Sequence, residues 1–344
     1  MSLGIPQLDP ALEASLTADM ARVESLLRSH IEGEYPLVIE TSRHLVEAGG
    51  KRLRPLLTLL GAQFGDPSAA GIVAAAVVCE LTHLATLYHD DVMDEAALRR
   101  GVESANNRWG NTVAILTGDY LFAKASQLLA DLGPEAVRLQ ATTFERLVIG
   151  QITETQGSTA GLSSIDHYLQ VISGKTSSLI ATSIRFGALL SGADAALTDQ
   201  LTKYGELIGT LFQLADDVID ISSESSESGK TPGTDLREGV PTLVTLHILS
   251  SDNPEDAELR AILSAPITDE AVLNSTLATL RGHEALTRAR EILVSYANDA
   301  RTQIKDIPAG PLHTGAHRHT IGAIAEAVPA AENATGSFAR LANR

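Results

Sequence analysis

The chain has 344 residues, 44 % apolar and 20 % charged, which excludes a mainly disordered polymer and suffices to bury a sizeable core. Aromatic residues make up 4 % and the formal net charge is −17, so the surface repels nucleic acid and anionic lipid and offers few rings for base stacking. One cysteine closes no internal disulfide, the first arginine follows Asp9, Glu13 and Asp19, and the longest apolar run is Ile72 to Cys79; the expectation is a cytoplasmic chain with no targeting or transmembrane segment.

Proline placement indicates the architecture. No proline lies between positions 67 and 134 or between 134 and 232, and both tracts are rich in Ala and Leu, as long helices require. Asn-Gly and Asp-Gly pairs are absent, and no period-2 alternation is sustained, which argues against hairpins. Apolar spacing and breakers predict an all-α, single-domain chain. Its helices are expected near 10–32, 36–48, 52–64, 68–94, 103–131, 135–157, 164–191, 197–222, 241–250, 255–264, 268–281 and 284–305, with a weak one near 317–328 in a tail beyond about residue 307. Gly49-Gly50 ends the second helix, Pro55 sits in the first turn of the third, and Ser163 to Asp166 resembles a capping box. Residues 222–241 read as a polar, Gly- and Pro-broken loop of the kind that often carries function.

The strongest chemical signal is a repeat. Asp90-Asp91-Val92-Met93-Asp94 returns as Asp216-Asp217-Val218-Ile219-Asp220, each at the C-terminal end of an apolar helix. The first and fifth residues share a helix face, where like charges repel. A hard divalent cation such as Mg²⁺, bound through one or two carboxylates and substrate phosphate, offsets that cost. Cations stand close by in sequence: Lys51 and Arg54, placed at i and i+3 in the first turn of a helix, then Arg99 and Arg100, Lys175 with Thr176, and Lys230. Singly each reads as a solvated charge; together they suggest clamps on a metal-bridged phosphate. His83 and Gln213 fall on the faces of Asp90 and Asp216, where a core histidine and a surface amide are the plainer readings. Cys79 reads as core, and His313, His317 and His319 do not make a convincing metal site.

In order, GGKRLRP, HLATLYHDDVMD, RRG, GKT, FQLADDVID and GKTPGTDL resemble the trans-type polyprenyl diphosphate synthases, over about residues 40–245. The resemblance implies a helical bundle around a deep apolar cavity, a homodimer, several Mg²⁺ ions, and condensation of an allylic diphosphate with isopentenyl diphosphate. Carried over by position, Lys51, Arg54, His83 and Arg100 would bind isopentenyl diphosphate. Asp90, Asp94, Asp216 and Asp220 would hold Mg²⁺ on the allylic diphosphate, gripped also by Arg99, Lys175, Thr176, Gln213 and Lys230. Where the family often has a second lysine, this chain has Val240, one cation fewer. Short-chain members carry bulky aromatics four or five positions before the first Asp; here Thr86 and Ala85 stand there, so a long product is expected, for example a quinone side chain. The alternatives are a short-chain farnesyl or geranylgeranyl synthase and a non-catalytic partner subunit. A terpene cyclase would lack GGKRLRP and carry a different second motif.

Overall fold

The computed structural model describes residues 9–158, 161–223, 232–305 and 307. Lys230, the three tail histidines and the weak helix expected near 317–328 lie outside the described residues. Its helices are α1 (Pro10–His30), α2 (Pro36–Glu47), α3 (Leu53–Ala62), α4 (Ile72–Met93), α5 (Ala105–Trp109), α6 (Asn111–Leu132), α7 (Pro134–Gln156), α8 (Ser164–Ile172), α9 (Ser178–Leu190), α10 (Ala195–Ser222), α11 (Thr234–Glu238), α12 (Leu243–Leu249), α13 (Ala257–Leu263), α14 (Glu270–Arg281) and α15 (Glu284–Lys305). The all-α expectation holds.

Helix α4 is apolar on nearly every face, which is the composition of a helix surrounded by others. It packs on α6, α3, α9 and α1, while α10 packs on α9 and α15. By length and composition α4 is apolar enough to cross a membrane, which the count of uninterrupted apolar residues did not show; most of it is buried inside the protein. Between α3 and α9 the approach is backbone to backbone. A Cβ at Gly187 would meet the Thr58 carbonyl oxygen at 2.0 Å, and one at Gly61 would meet that of Ile184 at 2.4 Å.

Local stops follow the expected chemistry. Gly49 and Gly50 follow α2 at φ 94° and 136°. Ser163 Oγ accepts from the Asp166 amide at 3.1 Å at the start of α8.

Four expectations are corrected. Leu98–Arg99 and Val102–Glu103 form two short antiparallel strands, β1 and β2. Their turn is Arg100-Gly101, both at positive φ (53° and 76°), so an arginine does what Asn or Asp usually does in a two-residue hairpin. The helix expected over 103–131 breaks at Gly110 into α5 and α6. The helix expected over 164–191 is interrupted by a π-helical turn, Ser173–Ser177. Lys51 lies ahead of α3 rather than inside its first turn, because Arg52 caps that helix in the left-handed region at φ 49°.

Candidate active site

Two groups of charge, one cationic and one acidic, meet at the end of α4. The cationic corner is built by the α2–α3 connection. Arg52 bonds through Nε to Glu24, and its Nη1 and Nη2 donate to Glu80 Oε1 at 2.9 Å and to the Val46 carbonyl at 3.1 Å. This rivets the loop to α4 and fixes its neighbours. Arg100 donates to the carbonyls of Leu45 (2.8 Å) and Gly49, and its guanidinium covers Gly50, where a Cβ would come within 2.8 Å of it. Gly50 therefore serves both its φ and this close approach. Arg54, the second residue of α3, is pulled down to about 10 by burial and stays charged at neutral pH; its Nε is buried without a hydrogen-bond partner. Lys51 Nζ lies 5.0 Å from the Phe212 ring centroid. Burial, with Arg54, Arg100, Arg99 and Arg52 adding to it, holds the half-buried His83 imidazole well below the usual histidine range, so it is neutral. Against these arginines stands Glu80, only 1 % exposed, with Glu24 beyond it.

The acidic side is made by α4 and α10. Asp94 caps α4, its amide donating to the Asp90 carbonyl at 2.8 Å. Burial pushes the Asp90 carboxyl up to about 6; the Asp94 charge adds to this, and Lys175 and Arg99 oppose it. Asp91, fully buried, accepts from Arg99 Nε at 2.6 Å and so tethers the arginine. On α10, Asp216 and Asp220 are half-buried and Asp217 is buried. Asp217 accepts from the Tyr168 hydroxyl and from Gln213 Nε2 at 2.9 Å, and burial pushes it up to about 7. Gln213 thus serves Asp217 directly, although its spacing points to Asp216. Asp220 accepts from the amides of Thr234 and Asp235, each at 3.2 Å, folding α11 back over the motif. Asp235 is pushed up to about 8 by burial and by Asp217, Asp220 and Asp216.

The π-helical turn joins the two acidic ends, and π turns inside helices recur at functional sites. Lys175 pairs with Glu154 of α7, and both act electrostatically on Asp90. The next residue, Thr176, donates to Gln213 Oε1 at 3.3 Å. The structure thus brings Asp90, Asp94, Arg99, Lys175, Thr176, Gln213, Asp216 and Asp220 into one linked set, beside Lys51, Arg54, His83 and Arg100. Sequence reasoning missed Glu24, Glu80, Asp91, Glu154, Tyr168 and Asp235, as well as the pairing roles of Arg52 and Asp217. The available signals were the places of Asp91 and Asp217 inside the two repeats and of Asp235 in GTDL, in the loop that follows the second.

Among the described residues no three His, Cys, Asp or Glu side chains converge to metal-ligating distance. The donor set is all oxygen, and Asp90 with Asp94 and Asp216 with Asp220 each offer two carboxylates one helix turn apart.

The two candidate chain-length positions part company. The Ala85 and His89 side of α4 faces α6: a Cβ at Gly118 would lie 2.3 Å from the His89 ring and 3.1 Å from the Ala85 carbonyl oxygen. Thr86 is half-buried on a different stripe, its hydroxyl donating to the His83 carbonyl at 2.8 Å.

A helical fold with two Asp-rich helix ends joined across a lysine-bearing turn, next to an arginine corner, defines a class: the all-α prenyltransferases. The chain belongs to the polyprenyl synthetase family, which it matches over residues 35–280. It is 48 % identical to nonaprenyl diphosphate synthase of Mycobacterium tuberculosis, over 90 % of this chain and 92 % of that one. Among solved structures, geranylgeranyl pyrophosphate synthase of Corynebacterium glutamicum, complexed with calcium and isoprenyl diphosphate, superposes with TM-score 0.83 at 41 % identity, over 94 % and 98 % of the two chains. A decaprenyl diphosphate synthase of Rhodobacter capsulatus does so with TM-score 0.82 at 32 % identity, over 93 % and 98 %.

Proposed function

We propose that the chain condenses an allylic diphosphate with successive isopentenyl diphosphates to give a long all-trans polyprenyl diphosphate. The observation that carries this reading is the two Asp-rich helix ends, linked through the Lys175 turn and set beside a separate arginine corner. The relatives that make nonaprenyl and decaprenyl diphosphates support the long product.

Lys51, Arg54 and Arg100 bind the diphosphate of isopentenyl diphosphate, and neutral His83 donates a hydrogen bond to it. Asp90, Asp94, Asp216 and Asp220 hold Mg²⁺; a relative bound to a divalent cation and an isoprenyl diphosphate supports this. When bound, the metal acts as a Lewis acid that neutralises the leaving diphosphate. Lys175, freed from Glu154, and Arg99, held by Asp91, add positive charge where negative charge develops; Thr176, Gln213 and Lys230 complete the grip. The allylic C–O bond breaks heterolytically, and the electron pair leaves with the diphosphate. The double bond of isopentenyl diphosphate then forms the new C–C bond. Loss of one proton to the released diphosphate restores the alkene. The surrounding helices exclude water from the cation.

Purified protein given isopentenyl diphosphate, farnesyl diphosphate and Mg²⁺ is expected to yield long prenyl diphosphates by reverse-phase chromatography. Asp90→Ala and Asp216→Ala are expected to lower turnover by orders of magnitude with helical circular dichroism unchanged. Near wild-type turnover in either variant would refute the metal assignment.

A further inference from the structure

Tyr168 of α8 and Thr176 of the π turn both reach α10, where they meet two side chains one helix turn apart. The Tyr168 hydroxyl donates to Asp217 Oδ2, Gln213 Nε2 donates to Asp217 Oδ1 at 2.9 Å, and Thr176 Oγ1 donates to Gln213 Oε1 at 3.3 Å. The four side chains close a ring that begins and ends on one stretch of chain. Its direction is fixed. An amide N–H can only donate, so the phenolic oxygen accepts from Leu243, the first residue of α12, and gives its own proton to Asp217. With Nε2 turned to that carboxylate, the Gln213 carbonyl oxygen faces Thr176.

The π turn makes the ring possible. Over eight residues an unbroken α-helix would set Tyr168 and Thr176 about 80° apart around its axis. In Ser173–Ser177 the Ser178 amide bonds to the Ser173 carbonyl, five residues back. Such a turn takes up more residues, which closes that angle and brings both side chains toward α10. The turn meets α10 by main chain: a Cβ at Gly209, one turn before Gln213, would lie 2.4 Å from Ser177 Cα. Ser177 and Thr210 add a buried hydrogen bond at 2.9 Å. Asp217 is 4 % exposed, so without the Tyr168 hydroxyl a buried carboxylate oxygen loses that partner, and the carboxylate loses its reason to hold Gln213 in one orientation.

We propose that Tyr168 is a positioning residue for the allylic diphosphate. It acts through Asp217 and Gln213 on Thr176, and through Thr176 on the adjacent Lys175. This rests on the condensation reading above. The ring runs along the Asp-rich end of α10 and contains none of Lys51, Arg54, His83 and Arg100, so its effect is confined to the allylic side. No covalent step is involved.

The test measures binding of farnesyl thiodiphosphate, an unreactive allylic analogue, and of isopentenyl diphosphate alone, each with Mg²⁺, by calorimetry on the full chain. Tyr168→Phe keeps the ring and removes the hydroxyl. It is expected to weaken the farnesyl analogue about tenfold and to leave isopentenyl diphosphate within about twofold. In a chain that already carries Thr176→Val, Tyr168→Phe is expected to weaken the farnesyl analogue by no more than about twofold further, because the ring is already open. Should Tyr168→Phe alone fail to fold, Tyr168→Phe with Asp217→Asn, which buries no unpaired charge, is measured against Asp217→Asn, with the same selective loss expected. Equal weakening of both ligands would make the tyrosine a plain structural residue, and full additivity with Thr176→Val would break the link through the ring. Either result overturns the proposal, as does unchanged farnesyl binding. A wild type that binds neither ligand would overturn the condensation reading and this role with it.

Discussion

At the scale of single residues, the site concentrates carboxylates whose affinity for protons exceeds the ordinary value of 3.8. Asp90 stands at about 6, Asp217 at about 7 and Asp235 at about 8, each chiefly through burial. The native state thus binds protons that the unfolded chain has released, and stability falls as pH rises through those values. His83 works the other way: its lowered value removes stability as pH falls below 6.5. Between about pH 6.5 and 8 the carboxylates act alone, so the melting temperature of metal-free protein is expected to fall across that window. Under the proposed metal assignment, Mg²⁺ would need the deprotonated carboxylates, so its stabilisation is expected to be larger at the upper end. Scanning calorimetry at both ends, with Asp235→Asn expected to flatten the slope, checks this; a melting temperature that rises across the window contradicts it. Asp90, Asp216 and Lys51 were legible in the sequence because each stands in a short local motif. Glu80 was not, since its role is to pair with Arg52 across 28 residues of chain. Asp91 was hidden differently, its sequence rank as one more aspartate concealing that it holds Arg99.

At the scale of elements, most helices were legible from proline gaps and apolar spacing, because those signals are local. The π-helical turn was not, because its cause is tertiary: it is packed between α7 and α10. The hairpin escaped because Arg100 takes a conformation that asparagine normally takes, held there by bonds to Leu45 and Gly49. The same geometry separates the two chain-length positions. Thr86→Phe places a ring one turn before Asp90 at a half-buried position and is expected to shorten the products toward farnesyl or geranylgeranyl diphosphate with little loss of stability. Ala85→Phe forces the ring toward α6 at a fully buried position and is expected to destabilise the fold by about 1–3 kcal/mol. Product chromatography beside thermal melts checks the pair. Equal shortening by both variants would mean that the tunnel also opens toward α6.

At the scale of the whole molecule, α6 and α7 present Ile115, Leu116, Val148, Ile149 and Ile152 to the outside, with Leu116 61 % and Ile149 53 % exposed. We propose that a second copy of the chain covers this face, in line with the homodimer that the family resemblance implies. The double variant Leu116→Asp, Ile149→Asp is expected to sediment as a monomer where the wild type sediments as a dimer; a wild-type monomer would remove the proposal. The glycine contact between α3 and α9 bears on something larger than packing. Arg54 rides on α3, and Lys175 sits in the turn that leads into α9. Because main chain touches main chain at Gly61 and Gly187, no side-chain rearrangement can lengthen or shorten the span between them. The gap across which two carbons must meet is therefore set by the scaffold, while Thr86, four residues before Asp90, is an exchangeable side chain. Reaction distance and product length become separate variables, so a lineage is free to change how long a tail it makes without retuning the step that makes it.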